Sequence, residues 1–358
     1  MEPKVTKFDL IILGASGFTG KYVLKEALKF LNNSSQSQSQ SPLNSIAIAG
    51  RNPTKLSQTL KWASNPNPPP TITILPADTS DPSSLRSLCS QTRLILNCVG
   101  PFRLHGETVV SACVDSGCDY LDICGEPEFM ERMESDYHDR AGETGSLVVS
   151  ACGFDSVPAE LGLLFNSLQW VGPAVPNRVE AYVSLESRKR IVGNFATYES
   201  AVLGVANAKD LQAFRRSRPR RRPRPQIPGP SPSKGQTIEH QKKIGFGQKN
   251  GPSEEEVESA SFKMWFVGRG FSNESLASQE NSKPDMEIVT RVTGPEVGYV
   301  ATPIILVQCA LILLSQRKNL PKGGVYPPGI VFGPTDLQQK LQQNGISFDV
   351  ISKSTISS

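Results

Sequence analysis

The chain has 358 residues, of which 38% are hydrophobic and 20% are charged, values typical of a soluble globular protein with room for two domains. A net charge of +4 is too small to indicate a nucleic-acid-binding protein. The seven cysteines include no C-x-x-C pair and the three histidines form no ligand pair, so we expect buried reduced thiols and no metal site.

Apolar runs and helical patterns alternate six times in the first 150 residues. The predicted strands are residues 8–13, 46–49, 71–76, 93–99, 120–123 and 147–150. The predicted helices between them are residues 21–31, 53–62, 83–89, 108–116 and 128–143. This order predicts an α/β domain over residues 1–152 with a doubly wound parallel Rossmann sheet.

The pattern changes after residue 152. Residues 179–185, 261–267 and 287–292 alternate as antiparallel strands do, which predicts a second, smaller α+β domain for substrate or interactions over residues 153–300. The C-terminal segment 301–358 is predicted to begin with a helix, residues 302–315, that returns to the first domain. Its apolar run 304–314 contains Gln308 and is too short to span a bilayer, so we expect a core helix. Residues 334–343 and 346–351 are predicted to form a last helix and strand.

Residues 214–235 contain seven arginines interspersed with prolines, a composition that cannot form a packed core. We expect this segment to be a disordered or exposed loop. A solvated linker is the simplest interpretation, and contact with an anionic membrane surface is the alternative. Nucleic-acid binding is unlikely, because no aromatic residues interleave with the arginines.

The segment GASGFTG follows the first predicted strand and leads into a helix. Gly14 permits a sharp turn, Gly17 permits close approach to a pyrophosphate, and Gly20 permits tight packing of the helix on the sheet. The helix N-terminus then presents free N–H groups to phosphate. An ordinary tight turn is the alternative, but strand, turn and helix together favour a dinucleotide site.

The end of the second predicted strand indicates which dinucleotide is preferred. NAD-binding domains commonly place a carboxylate there, whereas this chain has Arg51, with Lys55 one helical turn later. A guanidinium pairs with a 2′-phosphate that a carboxylate would repel. We therefore predict NADP(H) as the cofactor, with a solvated surface arginine as the alternative.

Further candidates lie at the carboxyl ends of later strands, which border the cofactor crevice in such folds. Asp78 is interpreted either as an adenine contact or as the cap of a turn. Asn97, Val99, Gly100 and Pro101 are expected beside the ribose and nicotinamide. Cys98 alternates away from that face and is interpreted as a core thiol.

Four side chains are candidate proton donors, although the sequence assigns no secure catalytic residue. They are Glu126, Asp155, Tyr120 and His105, near the ends of predicted strands or in adjacent loops. Helix capping is the favoured alternative for Glu126 and Asp155 individually.

Seven motifs in order resemble the saccharopine dehydrogenase-like oxidoreductases, including their plant members, and are also similar to the mycobacterial trans-acting enoyl reductases. They are GASGFTG, AGRNPTKL, NCVGPFRLHGE, DICGEP, GFDSVPAELG, GPEVGYVATP and GGVYPPG. The resemblance implies cofactor roles for Gly14, Ser16, Gly17, Phe18, Thr19 and Arg51. This chain departs from the family in one place, since family members have a longer middle before the segment matching GPSEEEVE.

Two functional hypotheses follow. The first is an NADPH-dependent oxidoreductase that transfers hydride to a C=N, C=C or C=O group of a small molecule or lipid, with glycolipid metabolism as one setting implied by the resemblance. The alternative is a non-catalytic cofactor-binding protein at lipid droplets or membranes. Saccharopine itself is a poor fit, because only Arg103, Arg188, Lys189 and Arg190 are expected near the cleft to bind its three carboxylates.

The sequence shows no targeting peptide before the first predicted strand. The resemblance implies that the protein is located at the cytoplasmic face of a lipid droplet or of a mitochondrial or other membrane. Oligomerisation is left open.

Overall fold

The structure is a computed structural model that describes residues 6–32, 41–218, 245–248 (backbone only) and 251–356. The strands are β1 (Phe8–Leu13), β2 (Ile46–Gly50), β3 (Thr73–Pro76), β4 (Thr92–Asn97), β5 (Asp119–Asp122), β6 (Leu147–Val149), β7 (Val175–Ser187), β8 (Val192–Asn194), β9 (Gly245–Gln248), β10 (Ala260–Phe271), β11 (Met286–Pro295), β12 (Gly324–Tyr326) and β13 (Ser347–Thr355).

The α-helices are α1 (Phe18–Leu28), α2 (Pro53–Ser64), α3 (Pro82–Gln91), α4 (Phe102–His105), α5 (Glu107–Ser116), α6 (Pro127–Thr144), α7 (Val157–Ser167), α8 (Phe195–Ala206), α9 (Ala208–Ser217), α10 (Glu254–Glu258), α11 (Glu274–Ala277), α12 (Thr302–Gln316), α13 (Pro328–Phe332) and α14 (Leu337–Gln343). A π-helical turn, Val297–Ala301, precedes α12, and a 3₁₀ turn, Arg317–Asn319, follows it.

The first sheet confirms the predicted doubly wound fold. Its strand order is β12-β6-β5-β4-β1-β2-β3, and every pairing is parallel. The order reverses at β1, so a crevice forms at the carboxyl ends of β1 and β4, where such sheets bind ligands. The seventh strand, β12, comes from the C-terminal segment and was not predicted, since three residues are too short for a periodic pattern.

Both faces of this sheet are covered. Leu10 and Ile12 of β1 point into a core shared with α1, α2 and α12, while Ile11 and Leu13 point into a second core formed with α3, α5 and α6. Such two-sided burial explains why the predicted strands appear in the sequence as continuous apolar runs rather than as alternating patterns.

The second sheet is antiparallel, with strand order β13-β11-β10-β7. All three strands predicted for this region are present and extend beyond the predicted bounds. Phe262, Phe266 and Val292 turn inward, and α7 packs against β10 and β11. Residues 301–358 contribute to both sheets, because β12 joins the first and β13 the second.

The apolar C-terminal helix is longer than predicted. The π-turn, α12 and the 3₁₀ turn form one helical run of 23 residues, Val297–Asn319, with mean hydropathy 2.2 in its most apolar window. Its length and composition would suffice to cross a bilayer, yet 83% of that window is buried inside the protein. Since α12 packs against α1, α14 and β4, it is a core helix of the kind expected.

The structure contradicts the predicted loop for the first residues of the Arg/Pro segment. Its first residues, 214–217, are the end of α9, and residues 219–235 lie outside the described residues. The Arg215 guanidinium donates from Nε to both carboxylate oxygens of Glu131 in α6, at 2.9 and 3.0 Å. The Arg218 guanidinium donates to the carbonyl of Glu131 at 3.0 Å. These contacts hold the basic end of α9 against the first domain.

Candidate cofactor and active site

The glycine-rich turn has the geometry of an anion cradle. Gly14 has φ +82°, a conformation that favours glycine, and the amide of Gly17 donates to the Gly14 carbonyl at 2.9 Å. Gly17 is the exposed, extended N-cap of α1 and provides no side-chain acceptor to the first-turn amides. The free N–H groups at residues 18 and 19 therefore suit the diphosphate of a dinucleotide.

Gly20 was predicted to permit tight packing of the helix on the sheet, and the structure gives it a different role. A β-carbon on Gly20 would collide with the backbone of Gly14 and Ala15, not with the sheet. Gly20 therefore lets the helix fold back onto its own entry turn. Gly14 is also constrained, because its β-carbon would meet Val99.

Arg51 lies at the exposed end of β2 and makes no hydrogen bond or ion pair with the residues that the structure describes. Lys55 is likewise exposed, and its amide is capped by Asn52 at 3.0 Å. Asp78 accepts from the amide and hydroxyl of Ser80 at 2.9 and 2.8 Å, so it closes a turn. Those hydrogen bonds, with Arg51 nearby, lower the pKa of Asp78.

A cavity of about 280 Å³ lies where this crevice meets the second domain. It is lined by Thr19, Cys98, Gly100, Phe102, Ile123, Gly125, Phe154, Asp155, Asn194, Ala196, Thr197, Ser200, Ala201, Val297, Gly298, Tyr299 and Thr302. Thr19 and Gly100 join the cofactor turn to the cavity. Val99 and Pro101 flank the lining, and Ser16 in the turn is half-buried. Phe18 packs edge-on against Tyr299, with ring centroids 4.7 Å apart.

Cys98 corrects one expectation. The cysteine was interpreted as pointing away from the crevice, yet it lines the cavity, because the chain leaves β4 at Asn97 and strand alternation ends there. Burial nevertheless raises the pKa of the Cys98 thiol to about 12. The thiol therefore stays protonated at neutral pH, and this disfavours a nucleophilic role.

The structure separates the four candidate proton donors. Glu126 is buried, and its carboxylate accepts the amides of Phe102 and Arg103 at 2.8 and 2.9 Å, so it caps α4. Tyr120 is fully buried beneath the sheet end and does not line the cavity. His105 ends α4 and lies outside the cavity lining.

Asp155 is the one of the four that lines the cavity. Its side chain is accessible to solvent from the cavity but makes no hydrogen bond with the described residues. The protein that surrounds it raises the pKa of its carboxyl group by desolvation. A carboxyl group that holds its proton to a higher pH beside an open cavity suits a general acid.

Asp122 organises the strand ends under the cavity, a role that the sequence analysis missed. One of its carboxylate oxygens accepts the amides of Cys124 and Ala151 at 2.9 and 2.8 Å. The other accepts the hydroxyls of Tyr120 and Ser150 at 2.8 and 3.0 Å. Burial raises the pKa of Asp122 to about 6, against the opposing effect of these hydrogen bonds.

The same network reaches β4 through Asn97, which does not line the cavity. Its side-chain Nδ2 donates to the Tyr120 hydroxyl at 3.1 Å, and its side-chain Oδ1 accepts the Val99 amide at 3.0 Å. Asp122 and Asn97 thus join the loops after β4, β5 and β6 into one rigid unit.

The second domain and the start of α12 supply one wall of the cavity, through residues that the sequence analysis did not single out. Thr302 accepts the amide of Phe154 at 3.1 Å, and the Tyr299 hydroxyl accepts the amide of Asn194 at 2.8 Å. The motif GPEVGYVATP contains Tyr299 and Thr302, so its place in the resemblance was the available signal. Thr197 and Ser200 of α8 had no comparable signal, because a mixed apolar helix has no distinctive spacing.

Three buried thiols lie together away from this site. The Sγ atoms of Cys89, Cys113 and Cys118 all lie within 4.8 Å of one another. Burial raises the pKa values of Cys113 and Cys118 well above the ordinary range. All three are buried free thiols, and their interpretation as reduced core cysteines stays a prediction.

Comparison with known proteins places these features in a family. Residues 10–149 match the saccharopine dehydrogenase NADP binding domain. The chain is 57% identical to a probable mitochondrial saccharopine dehydrogenase-like oxidoreductase of Arabidopsis thaliana, with 97% of each chain covered. Apo saccharopine dehydrogenase (L-Glu forming) of Saccharomyces cerevisiae shares the fold, with TM-score 0.54, 9% identity and coverage of 98% and 100%.

The chain therefore belongs to the saccharopine dehydrogenase-like oxidoreductases, and its cofactor is NADP(H). A lipid droplet localized protein of Caenorhabditis elegans is 29% identical, with 98% and 99% coverage. The expected similarity to a trans-acting enoyl reductase is confirmed for Mycobacterium bovis, at 34% identity over 46% of this chain and 36% of that protein.

The comparison shows that this chain is shorter than its Arabidopsis relative, and the place of the missing residues stays a prediction. Its alignment with the Arabidopsis relative extends over 445 positions, whereas the chain has 358 residues. At least 445 minus 358, or 87, aligned positions therefore have no counterpart here.

Proposed function

We propose that this protein is an NADPH-dependent reductase that acts on a C=N, C=C or C=O group held in the cavity between Gly100, Asp155 and Ser200. The observation that carries the proposal is the position of Asp155, a carboxyl group with a raised pKa in a cavity that adjoins the cofactor turn. NADPH supplies a hydride from its nicotinamide ring when it is bound.

The residues of the chain account for the remaining requirements. The amides at the start of α1 bind the diphosphate, and Arg51 pairs with the 2′-phosphate. Thr19 and Gly100 border the path from the turn to the cavity. During reduction, the Asp155 carboxyl would donate its proton to the atom next to the reduced carbon and would then be reprotonated from solvent.

The charge of the cavity argues against saccharopine as the substrate. Among the described residues that line it, none is lysine or arginine. Arg103 pairs with Glu128 and Asp210, and Lys189 pairs with Glu255, all outside this lining. A substrate with three carboxylates would meet one acidic group and no counter-ion there, which is unfavourable.

NADPH oxidation across a panel of imines, 2-alkenals and ketones tests the proposal. Asp155→Asn should lower kcat by about 10²–10⁴-fold and leave the Kd for NADPH unchanged. Because the acid must be protonated, the wild-type rate should fall as pH rises through the raised pKa of Asp155, and the variant should lose that dependence. Asp136→Asn, at an exposed position in α6, is the matched control. Tight NADPH binding without turnover of any panel member would contradict a reductase.

One observation favours the second candidate, a cofactor-binding protein at a lipid surface. The outer side of α8 exposes Phe195, Tyr198 and Val202, spaced as one helical face. Phe195→Ser combined with Val202→Ser should abolish flotation of the protein with phosphatidylcholine–triacylglycerol droplets. Flotation that is unchanged, or absent in the wild type, would reject this candidate.

A further inference from the structure

A second recess continues from the cavity between the two domains. It has a volume of about 420 Å³ and shares Gly125, Ser200 and Ala201 with the cavity. Apolar and small residues line most of it, among them Pro127, Leu203, Gly204, Val205, Ala208 and Leu211. We call this recess the α8–α9 groove, since those helices form its roof over the start of α6.

The charged residues that border the α8–α9 groove are already paired. Arg103 forms ion pairs with Glu128 at 3.1 Å and with Asp210 at 3.2 Å. Both carboxylate oxygens of Glu126 accept backbone amides. A ligand in the groove would therefore meet no unpaired charge among the described residues, and an ionic ligand would lose hydration without gaining an unpaired counter-ion.

The α8–α9 groove has one inner and one outer end. At the inner end, Ser200 and Ala201 open into the cavity that contains Asp155. At the outer end, Val205 is 80% exposed, so the groove reaches solvent. The ion pair Arg103–Asp210 joins α9 to α4, and Arg215–Glu131 joins α9 to α6. These pairs hold in place the roof, which carries most of the apolar lining.

We propose that the α8–α9 groove binds a neutral, unbranched apolar chain of the substrate, with the reducible group of the same molecule beside Asp155. The placement of the reducible group rests on the proposed function, whereas binding of the chain does not. The continuity of an uncharged cavity with an apolar groove identifies the substrate class as long-chain neutral carbonyl, enoyl or imine compounds. Chain length is then the specificity determinant.

Equilibrium binding of a neutral fluorescent probe, N-phenyl-1-naphthylamine, tests the groove without any reaction. Hexanol, decanol and tetradecanol should displace the probe with affinities that rise about fourfold per added methylene, until the groove is filled. Gly204→Phe should abolish displacement by the long alcohols, because a β-carbon at Gly204 meets nothing within 4 Å and the ring has space to occupy the groove. Gly142→Phe, at an equally open helical glycine in α6, is the control.

The outcomes separate the groove from the reductase. Binding that depends on chain length and is lost in Gly204→Phe, with unchanged NADPH affinity, supports the groove even if no panel compound is reduced. Turnover of 2-hexenal and 2-tetradecenal with equal kcat/KM would overturn the proposal that the α8–α9 groove binds the chain, while supporting the proposed reductase activity. Alcohol affinities that do not depend on chain length in the wild type would overturn the groove even if Gly204→Phe fails to fold.

Discussion

The carbonyl oxygen of Gly14 lies 2.2 Å from the point where a β-carbon on Gly20 would stand. No rearrangement of a flexible side chain can relieve that contact, because both partners belong to the turn and its helix. Gly20→Ala should therefore displace the turn, lower the free energy of unfolding by about 1–3 kcal/mol and weaken NADPH binding. Urea unfolding and calorimetric titration check both effects. Gly142→Ala, in open space, should be stabilising, and equal effects of the two variants would contradict this account.

Gly17 should respond differently from Gly20. Its φ of −71° suits any residue, and a β-carbon there would meet only the Gly14 carbonyl, at 3.2 Å. Gly17→Ala should therefore change stability by less than about 1 kcal/mol and weaken NADPH binding roughly tenfold, because the methyl group occupies the approach to the amides. A loss of stability without a loss of affinity would show that Gly17 serves the fold and not the cofactor.

Asp122 should make stability depend on pH. Its folded-state pKa is raised from 3.8 to about 6, so the native state holds this proton more tightly than the unfolded chain does. The resulting contribution to the free energy of unfolding is fully present below pH 3.8 and is lost as pH rises through about 6. It amounts to about 3 kcal/mol, since each pKa unit corresponds to roughly 1.4 kcal/mol. Asp122→Asn lacks this titration.

Urea unfolding of the wild type and of Asp122→Asn between pH 4 and pH 7 measures this contribution. As pH rises, the wild type should lose stability relative to Asp122→Asn. A stability difference that does not depend on pH would contradict the assignment. Asp122→Ala should have a lower free energy of unfolding than both the wild type and Asp122→Asn at every pH, because it leaves four buried donors without their acceptor.

Glu126 should matter for stability and not for proton transfer. Gln at this position accepts one of the two amides at the start of α4 and presents an N–H group to the other, which costs about 1–3 kcal/mol. Glu126→Gln should therefore unfold at lower urea concentration and retain the wild-type pH profile of turnover. A stable Glu126→Gln variant without activity would instead make Glu126 a catalytic candidate.

The sequence sufficed for the first six strands of the first sheet, although not for β12, because local signals and tertiary environment agree over most of them. The strands β1, β2, β4 and β6 are mostly apolar and buried, and the glycine turn has a conformation that its residues favour. The α8 helix shows the limit of such reasoning. Its apolar residues face both the cavity and the solvent, so spacing alone could not tell that Thr197 and Ser200 line the site.

Side-chain roles were harder to predict than elements, for a physical reason. Glu126, Asp155 and Asp122 are all acids at or soon after the ends of strands. The sequence does not distinguish a carboxylate saturated by amides from one left open to a cavity. That difference depends on backbone groups contributed by other strands, such as the Ala151 amide at Asp122. Cys98 was misplaced because strand alternation was extended past the end of β4.

The binding of NADPH and NADH to the wild type and to Arg51→Glu, measured by calorimetric titration, tests the central claim most directly. Arg51 has no partner among the described residues, so its guanidinium is available for the 2′-phosphate, a pairing worth roughly tenfold to hundredfold in affinity. Lys61→Glu, which makes the same charge change at an exposed position in α2, is the control. The account predicts that the wild type and Lys61→Glu prefer NADPH and that Arg51→Glu loses this preference. An unchanged preference in Arg51→Glu, or no binding of either coenzyme to the wild type, would contradict it.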